Sequence, residues 1–366
     1  MPPLADAIVR AEAFHLGIPS VYGGPPPRGT AQWPILELLL IRLETADGLV
    51  GWGEGFGHRA CATTKRAFDT LVAPLVLHRT ATDISSLGSE LRRALYTYGL
   101  DGPVGFALSG LDIALWDLQG QRSKMPIYQL LNPALTTPPV VPAYASLLRY
   151  GDADRSGEAV ADAVRRGHSS VKLHEATVEA VRVAREAVGP DIGLSLDVNC
   201  RWSVEESIDL ARRLEPHRLD WIEEPCWPPT AEALAHVAAA TKTPIAAGEN
   251  AGSLAELERL GSTGRLRFLQ PSAAKLGGLS GLIAARAMAQ RIGTSVATHS
   301  AYFGPALAAT THFCAAIGEA CEWYDCRLEQ SPSGLLPENG ELRLSGQPGL
   351  GVAIPYDLVS LYTMRP

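Results

Sequence analysis

From residue 140 onward the sequence repeats one motif eight times: a short apolar run, then an Ala-, Glu- and Arg-rich segment of helical character. The runs are VVPAYASL, SSVKLHE, IGLSLDVN, LDWIEEP, PIAAGEN, LRFLQPS, TSVATHS and EACEWYD. One polar residue at or near the end of each run after the first gives Lys172, Asp197, Glu223, Glu249, Ser272, His299 and Glu322, spaced by 25, 26, 26, 23, 27 and 23 residues. That interval is one strand plus one helix, and eight such units in series predict an α/β fold of the (β/α)8 TIM-barrel type. Its C-terminal strand ends open on a single mouth, so residues far apart in the chain converge there.

The chain is 366 residues long, too many for the barrel alone. Ahead of it, PILELLLIRLETADGLVGWGE has two β-rich apolar runs around Ala46-Asp47-Gly48, which predicts a hairpin. Between about Thr63 and Leu131 the apolar spacing changes to three and four, so helices follow. The Pro-rich joint Asn132–Pro139 ends the last of them. The expected organisation is an α+β N-terminal capping domain over 1–132, a barrel over 140–329, and a C-terminal segment, 330–366, returning to the cap.

Composition narrows the class. Lys and Arg total 32 against 39 Asp and Glu, a net charge of −7 with no basic block, which argues against nucleic acid as a partner. No apolar stretch reaches the ~18 residues of a membrane span, and no signal peptide is visible, so a cytoplasmic location is the default. The six cysteines form no CxxC pair and read as reduced thiols.

Asp197, Glu223 and Glu249 end three successive strand runs. A carboxylate there is ordinarily a helix N-cap or a solvated loop residue. The capping role is already filled, however: Ser203 with Glu206 and Ser253 with Glu256 make capping-box patterns just downstream. Three carboxylates at one mouth repel one another unless a cation offsets them. All-oxygen ligands favour a hard divalent ion, Mg2+ or Mn2+, over zinc.

With these motifs the sequence resembles the enolase superfamily, and within it the mandelate racemase-like group. The resemblance rests on the ADGLVGWGE hairpin, the LSGLDIALWDLQGQ helix, the LDVN, IEEP and GEN motifs, and KLGG at Lys275 to Gly278. It implies one Mg2+ on Asp197, Glu223 and Glu249, and a substrate-covering loop near His15 to Ala31. It also implies a small-molecule carboxylate as substrate, and a homo-oligomer.

Lys172 and His174 stand two apart on one strand, so both can face the site. An inward Lys there is expected to have a lowered pKa and to act as a base; otherwise it is a snorkelling surface residue. The family pattern is KxK, with the second Lys the usual base, and His174 occupies that second position. His299 matches the family's catalytic His. Its usual Asp partner falls on Ser272, which leaves His299 without the charge that would raise its basicity and fix its tautomer. Glu322 matches a carboxylic acid that hydrogen-bonds the substrate carboxylate; its bland alternative is a salt-bridged strand end. Asn199, Lys275, Ser272, Tyr22, His15 and Arg28 are further candidate contacts. Trp202, Trp227, Tyr302, Phe303 and Trp323 follow strand ends, where they line the mouth or pack the core.

The implied chemistry is Mg2+-dependent removal of the proton α to a carboxylate, giving a metal-stabilised enediolate. An acid-sugar dehydratase is the first reading, because dehydration suits an unequal acid and base, whereas racemisation needs two matched bases. A racemase, epimerase or cycloisomerase is the second. A metal-binding homologue without catalysis is the third, motivated by His174 and Ser272.

Overall fold

The computed structural model describes residues 4–22 and 34–364, apart from the side chains at positions 21, 22 and 327. The chain opens on a long strand, β1 (Ile8–Tyr22), paired antiparallel with β2 (Ile35–Thr45), which turns through the expected hairpin into β3 (Val50–Gly55). The expected covering loop therefore begins, from His15 to Tyr22, as a strand, and residues 23–31 lie outside the described residues. Alternating Phe14, Leu16 and Ile18 carry the strand signal, which Gly17 and Pro19 obscure.

The helix Pro103–Ser123 packs on β3. The glycines of the hairpin's second strand explain how closely. A Cβ on Gly53 would fall onto the Gly110 carbonyl oxygen, so only a Cβ-free strand lets the helix settle there. Asp117 of this helix is buried and accepts from the amides of Trp52, at 2.9 Å, and Leu350, at 2.8 Å. One carboxylate thus ties hairpin, helix and C-terminal segment together.

The eight apolar runs all form parallel strands: β4 (Val140–Ser146), β5 (Ser170–Leu173), β6 (Gly193–Asp197), β7 (Ile222–Glu223), β8 (Ile245–Ala247), β9 (Phe268–Leu269), β10 (Ser295–Val296) and β11 (Cys321–Tyr324). They pair in sequential order from β4 to β10, and β11 returns to pair with β4, so the sheet curls round. Between β10 and β11 the described residues form no strand pair, but the Ser300 amide donates to Glu322 across that seam, at 2.7 Å. A helix follows each of the first seven strands. Five in a row begin on a side-chain cap, Asp152, Thr177, Ser203, Thr230 and Ser253, each accepting from the amide three residues on.

The last residues return to both parts. β12 (Cys326–Leu328) pairs with β1, and Thr363 bridges Leu16. Within the C-terminal segment expected to return to the cap, the strand-like GELRLSG instead joins the barrel: β13 (Glu341–Arg343) pairs antiparallel with β4, the first barrel strand. All six cysteines are free. No helix among the described residues is long and apolar enough to cross a membrane.

Candidate active site

The barrel register sets Asp197 and Glu223 side by side on β6 and β7, and Glu249 lies two residues beyond β8. Oxygens of these three carboxylates lie within 4.8 Å of one another. Asp197 Oδ1 accepts from the Asn199 amide at 2.8 Å, whereas its buried Oδ2 has no well-formed hydrogen bond, with His174 Nε2 at 3.2 Å and Lys172 Nζ at 3.6 Å. Glu223 is held by Trp221 Nε1 at 3.1 Å and Gln270 Nε2 at 2.6 Å. A buried carboxylate oxygen without a hydrogen bond, in a cluster of three carboxylates, fits a hard divalent cation, and these three residues could hold one. The neighbouring helix caps need none of them. Ser203 and Glu206 form the full capping box, while Ser253 accepts from the Glu256 amide and Glu256 turns to the amide of Gly252.

Lys172 is fully buried in the middle of this charge. Its Nζ lies 2.7 Å from Glu322, 2.9 Å from Glu223 and 3.6 Å from Asp197. The sequence led to a lowered pKa here, and the structure reverses it. Burial does oppose the charge, but the three carboxylates outweigh burial and hold Lys172 well above the ordinary Lys value. Glu322 spends one oxygen on Lys172 and the other on the Ser300 amide. Against a desolvation penalty, Lys172 and then His299 bring its pKa down to about 2, so in this arrangement it is an ionised acceptor rather than a proton donor.

His174 lies directly above, with Nδ1 at 2.5 Å from the Leu147 carbonyl oxygen and Nε2 at 3.2 Å from Asp197 Oδ2. A carbonyl only accepts, so Nδ1 carries a proton and Nε2 is the nitrogen left to exchange one in the cavity. His299 enters from the far end of the cluster, its Nε2 3.4 Å from Glu249. Its Nδ1 meets Ser272 Oγ at 3.4 Å, and Ser272 in turn hydrogen-bonds the Tyr302 hydroxyl. Burial lowers the His299 pKa, opposed by Glu249 and Glu322.

His174, Asp197, Glu249 and His299 share a cavity of about 470 Å³, whereas Lys172, Glu223, Ser272 and Glu322 lie behind its wall. Asn199 and Lys275 line it as expected; Lys275 Nζ donates to Asn250 at 2.8 Å and sits 4.4 Å from the centre of the Phe56 ring. His15 lies elsewhere, in β1, paired with Glu37 at 2.8 Å. The Tyr22 side chain and Arg28 lie outside the described residues. None of the five aromatics singled out lines the cavity: Trp227 is exposed and the others are buried, while Tyr324 and Phe56 take the wall positions. The sequence also gave no sign of Phe56 and His58 from the cap, nor of Arg149 and Arg201. Phe56, Arg149 and Arg201 stand in loops and His58 opens a short 3-10 helix, all beyond the strand period, and only the fold brings them in. His58 is brought down to about 4 by burial, with Lys275 and His299 adding to the shift.

Comparison with known proteins agrees with this architecture. Residues 30–132 match the mandelate racemase/muconate lactonizing enzyme N-terminal domain, and residues 155–358 match the enolase C-terminal domain-like family. The chain is similar to the arabinonate dehydratase of Saccharolobus solfataricus, at 27% identity over 89% of this chain and 90% of that protein. It is similar to the D-galactarolactone cycloisomerase of Agrobacterium fabrum, at 29% identity over 89% and 91%. A solved enolase superfamily member from Polaromonas sp. JS666 superposes with a TM-score of 0.85, at 26% identity, over 98% of both chains. The chain belongs to the mandelate racemase/muconate lactonizing enzyme family of the enolase superfamily, among its lyases and isomerases.

Proposed function

We propose that the chain is a Mg2+-dependent acid-sugar dehydratase, which removes the proton α to a carboxylate and expels the β-hydroxyl. One observation carries the reading: His174 and His299 turn ring nitrogens into one cavity at the two ends of the carboxylate cluster, one beside Asp197 and the other beside Glu249. When held by Asp197, Glu223 and Glu249, Mg2+ supplies the Lewis-acid stabilisation of negative charge that brings such a proton within reach of an imidazole. His174 takes the α-proton at Nε2, since its Nδ1 is committed to Leu147. Lys172 lies among Glu322, Glu223 and Asp197, which raise its pKa, so its part is to offset their charge rather than to take the proton: it helps to keep Glu322 ionised and opposes the burial that pushes the Glu223 pKa up. His299 gives a proton to the departing hydroxyl from Nε2, and the Glu249 and Glu322 carboxylates oppose the burial that lowers its pKa and so favour the protonated ring that the step needs.

The second reading is a cycloisomerase, supported by the relative of that name. Racemisation fits less well, because the two imidazoles are supported differently, one on a backbone carbonyl and one on a hydroxyl. The same proposal includes a cytoplasmic homo-oligomer and division of the chain at 1–132, 140–329 and 330–366. The Thr363–Leu16 bridge and the packing of the helix Tyr356–Tyr362 on β1 support the return of the C-terminal residues to the cap.

The test is incubation of the Mg2+-loaded protein with aldonic and aldaric acids, with 2-keto products read by semicarbazide. At least one acid is expected to respond. Entry of solvent deuterium at the α-carbon without any 2-keto product would favour isomerisation.

A further inference from the structure

We propose that Arg149 and Arg201 form a second anion site in the same cavity, one that takes the distal carboxylate of a dicarboxylic acid, so that the substrate is an aldaric rather than an aldonic acid. This rests on the proton-abstraction reading above, which places the reacting carboxylate at the acidic cluster.

Arg149 follows β4 and Arg201 follows β6, the two strands that flank β5 and its His174. Both side chains line the cavity that holds His174 and Asp197. Among the described residues neither has a carboxylate partner: Arg201 reaches only the His174 carbonyl oxygen, at 3.5 Å, and Arg149 makes no hydrogen bond or ion pair. Arg166 shows the contrast, since it is satisfied by both Asp325 oxygens, at 2.8 and 2.7 Å. The two cations lie in each other's field: burial and then Arg149 lower the Arg201 pKa, and Asp197 and Glu175, neither in contact with it, only partly oppose the shift. A carboxylate between two guanidiniums removes that repulsion and gives both a planar, bidentate acceptor.

The lysine on the cavity wall is engaged by neutral groups. Lys275 is buried, donates to Asn250 and lies over the Phe56 ring. A substrate with its reacting end at Asp197 and Glu249 meets a pair of guanidiniums towards Arg149 and Arg201, whereas Lys275 offers a single buried ammonium. An aldonic acid, whose far end is a neutral hydroxymethyl group, would leave that charge unmatched. In a chain of net charge −7, such a pair also gives a dianion somewhere to land.

The test pairs aldonic and aldaric acids of the same stereochemistry, galactonate with galactarate and gluconate with glucarate among them, on the Mg2+-loaded protein. Turnover and calorimetric binding are read separately. Diacids are expected to bind at least tenfold more tightly than their monoacid partners. Arg149→Gln and Arg201→Gln should each weaken diacid binding and raise its KM about tenfold, with kcat and monoacid binding little changed. Both arginines are solvent-exposed, and unchanged melting curves would show that the variants fold. Equal binding of monoacid and diacid, diacid binding unchanged in both variants, or no diacid binding at all would overturn the arginine site. Diacid binding without turnover or α-deuterium exchange would instead count against the proton-abstraction reading and leave the arginine site standing.

Discussion

His174 Nε2 stands 3.2 Å from Asp197 Oδ2, so the imidazole that occupies the second position of the family's KxK pair touches the first of the three clustered carboxylates. Its other nitrogen is fixed by the Leu147 carbonyl oxygen, and its ring meets Tyr324 edge to face at 5.9 Å. The side chain is therefore positioned from three directions, by β4, β6 and β11, before any substrate enters.

Replacing it separates chemistry from folding. His174→Gln should reduce α-deuterium exchange and turnover by roughly 10²–10⁴-fold, the usual worth of a general base. Mg2+ affinity should change little, because the three carboxylates remain. Exchange rates near those of the unaltered protein would return the base role to Lys172.

Lys172 should matter to the fold itself. Lys172→Met leaves Glu223, Glu322 and Asp197 buried together without their cation. Removal of one partner from such a set costs about 3–5 kcal/mol. Urea denaturation of the metal-free variant should show a loss of that order, partly restored by Mg2+; an unchanged midpoint would mean that the carboxylates compensate by protonating.

Metal removal gives a third readout. A ligand at a hundredfold excess over its Kd stabilises the folded state by ~2.7 kcal/mol, so Mg2+ should raise the melting temperature and chelation should lower it again. In Glu249→Gln, which alters the outermost of the three carboxylates, that gain should shrink towards zero. An equal gain in the variant would place the ion elsewhere.

The strands were legible because burial of a parallel sheet forces an apolar run in each unit, and Asp197, Glu223 and Glu249 were legible because each breaks such a run at its end. The state of Lys172 was not. It depends on carboxylates from β6, β7 and β11 meeting around one ammonium, and no local pattern encodes that sum. Nor was the hydroxyl pair behind His299, since Ser272 and Tyr302 are thirty residues apart and meet only where the β9 and β10 ends are bridged. Arg149 and Arg201 belong to loops, whose positions follow from the strands they join.

The cap contributes a pH effect. Glu54 of β3 accepts from the amides of Gly304, at 3.0 Å, and Ala306, at 2.9 Å, at the start of the helix that follows His299. Burial raises its pKa to about 7 although those amides oppose the shift. In the unfolded chain a Glu titrates near about 4.3. Between these values the folded state keeps a proton that the unfolded state has released, so Glu54 makes stability fall as pH rises from about 4.3 to about 7, with no further change above. Glu54→Gln should remove that component: the stability difference between variant and parent should move in the variant's favour by roughly 4 kcal/mol across the window. A difference independent of pH would show that Glu54 is ionised throughout.

Ser272 tests the support of His299. Its hydroxyl is the Nδ1 partner of the imidazole and is itself held by Tyr302. Ser272→Ala removes the group that orients the ring without touching the carboxylate cluster, and loss of such a supporting hydrogen bond typically costs 10–100-fold in activity. The loss should fall on kcat, with KM and Mg2+ affinity nearly unchanged, because Ser272 acts through His299. Ser272→Asp should do the opposite to the ring: a carboxylate at Nδ1 fixes one tautomer and strengthens Nε2 as a base. In the dehydratase reading, a stronger base is a weaker acid, so elimination should slow in Ser272→Asp while deuterium exchange on the His299 face quickens. If both substitutions slowed both processes equally, His299 would have a packing role and the proton for the departing hydroxyl would come from another group.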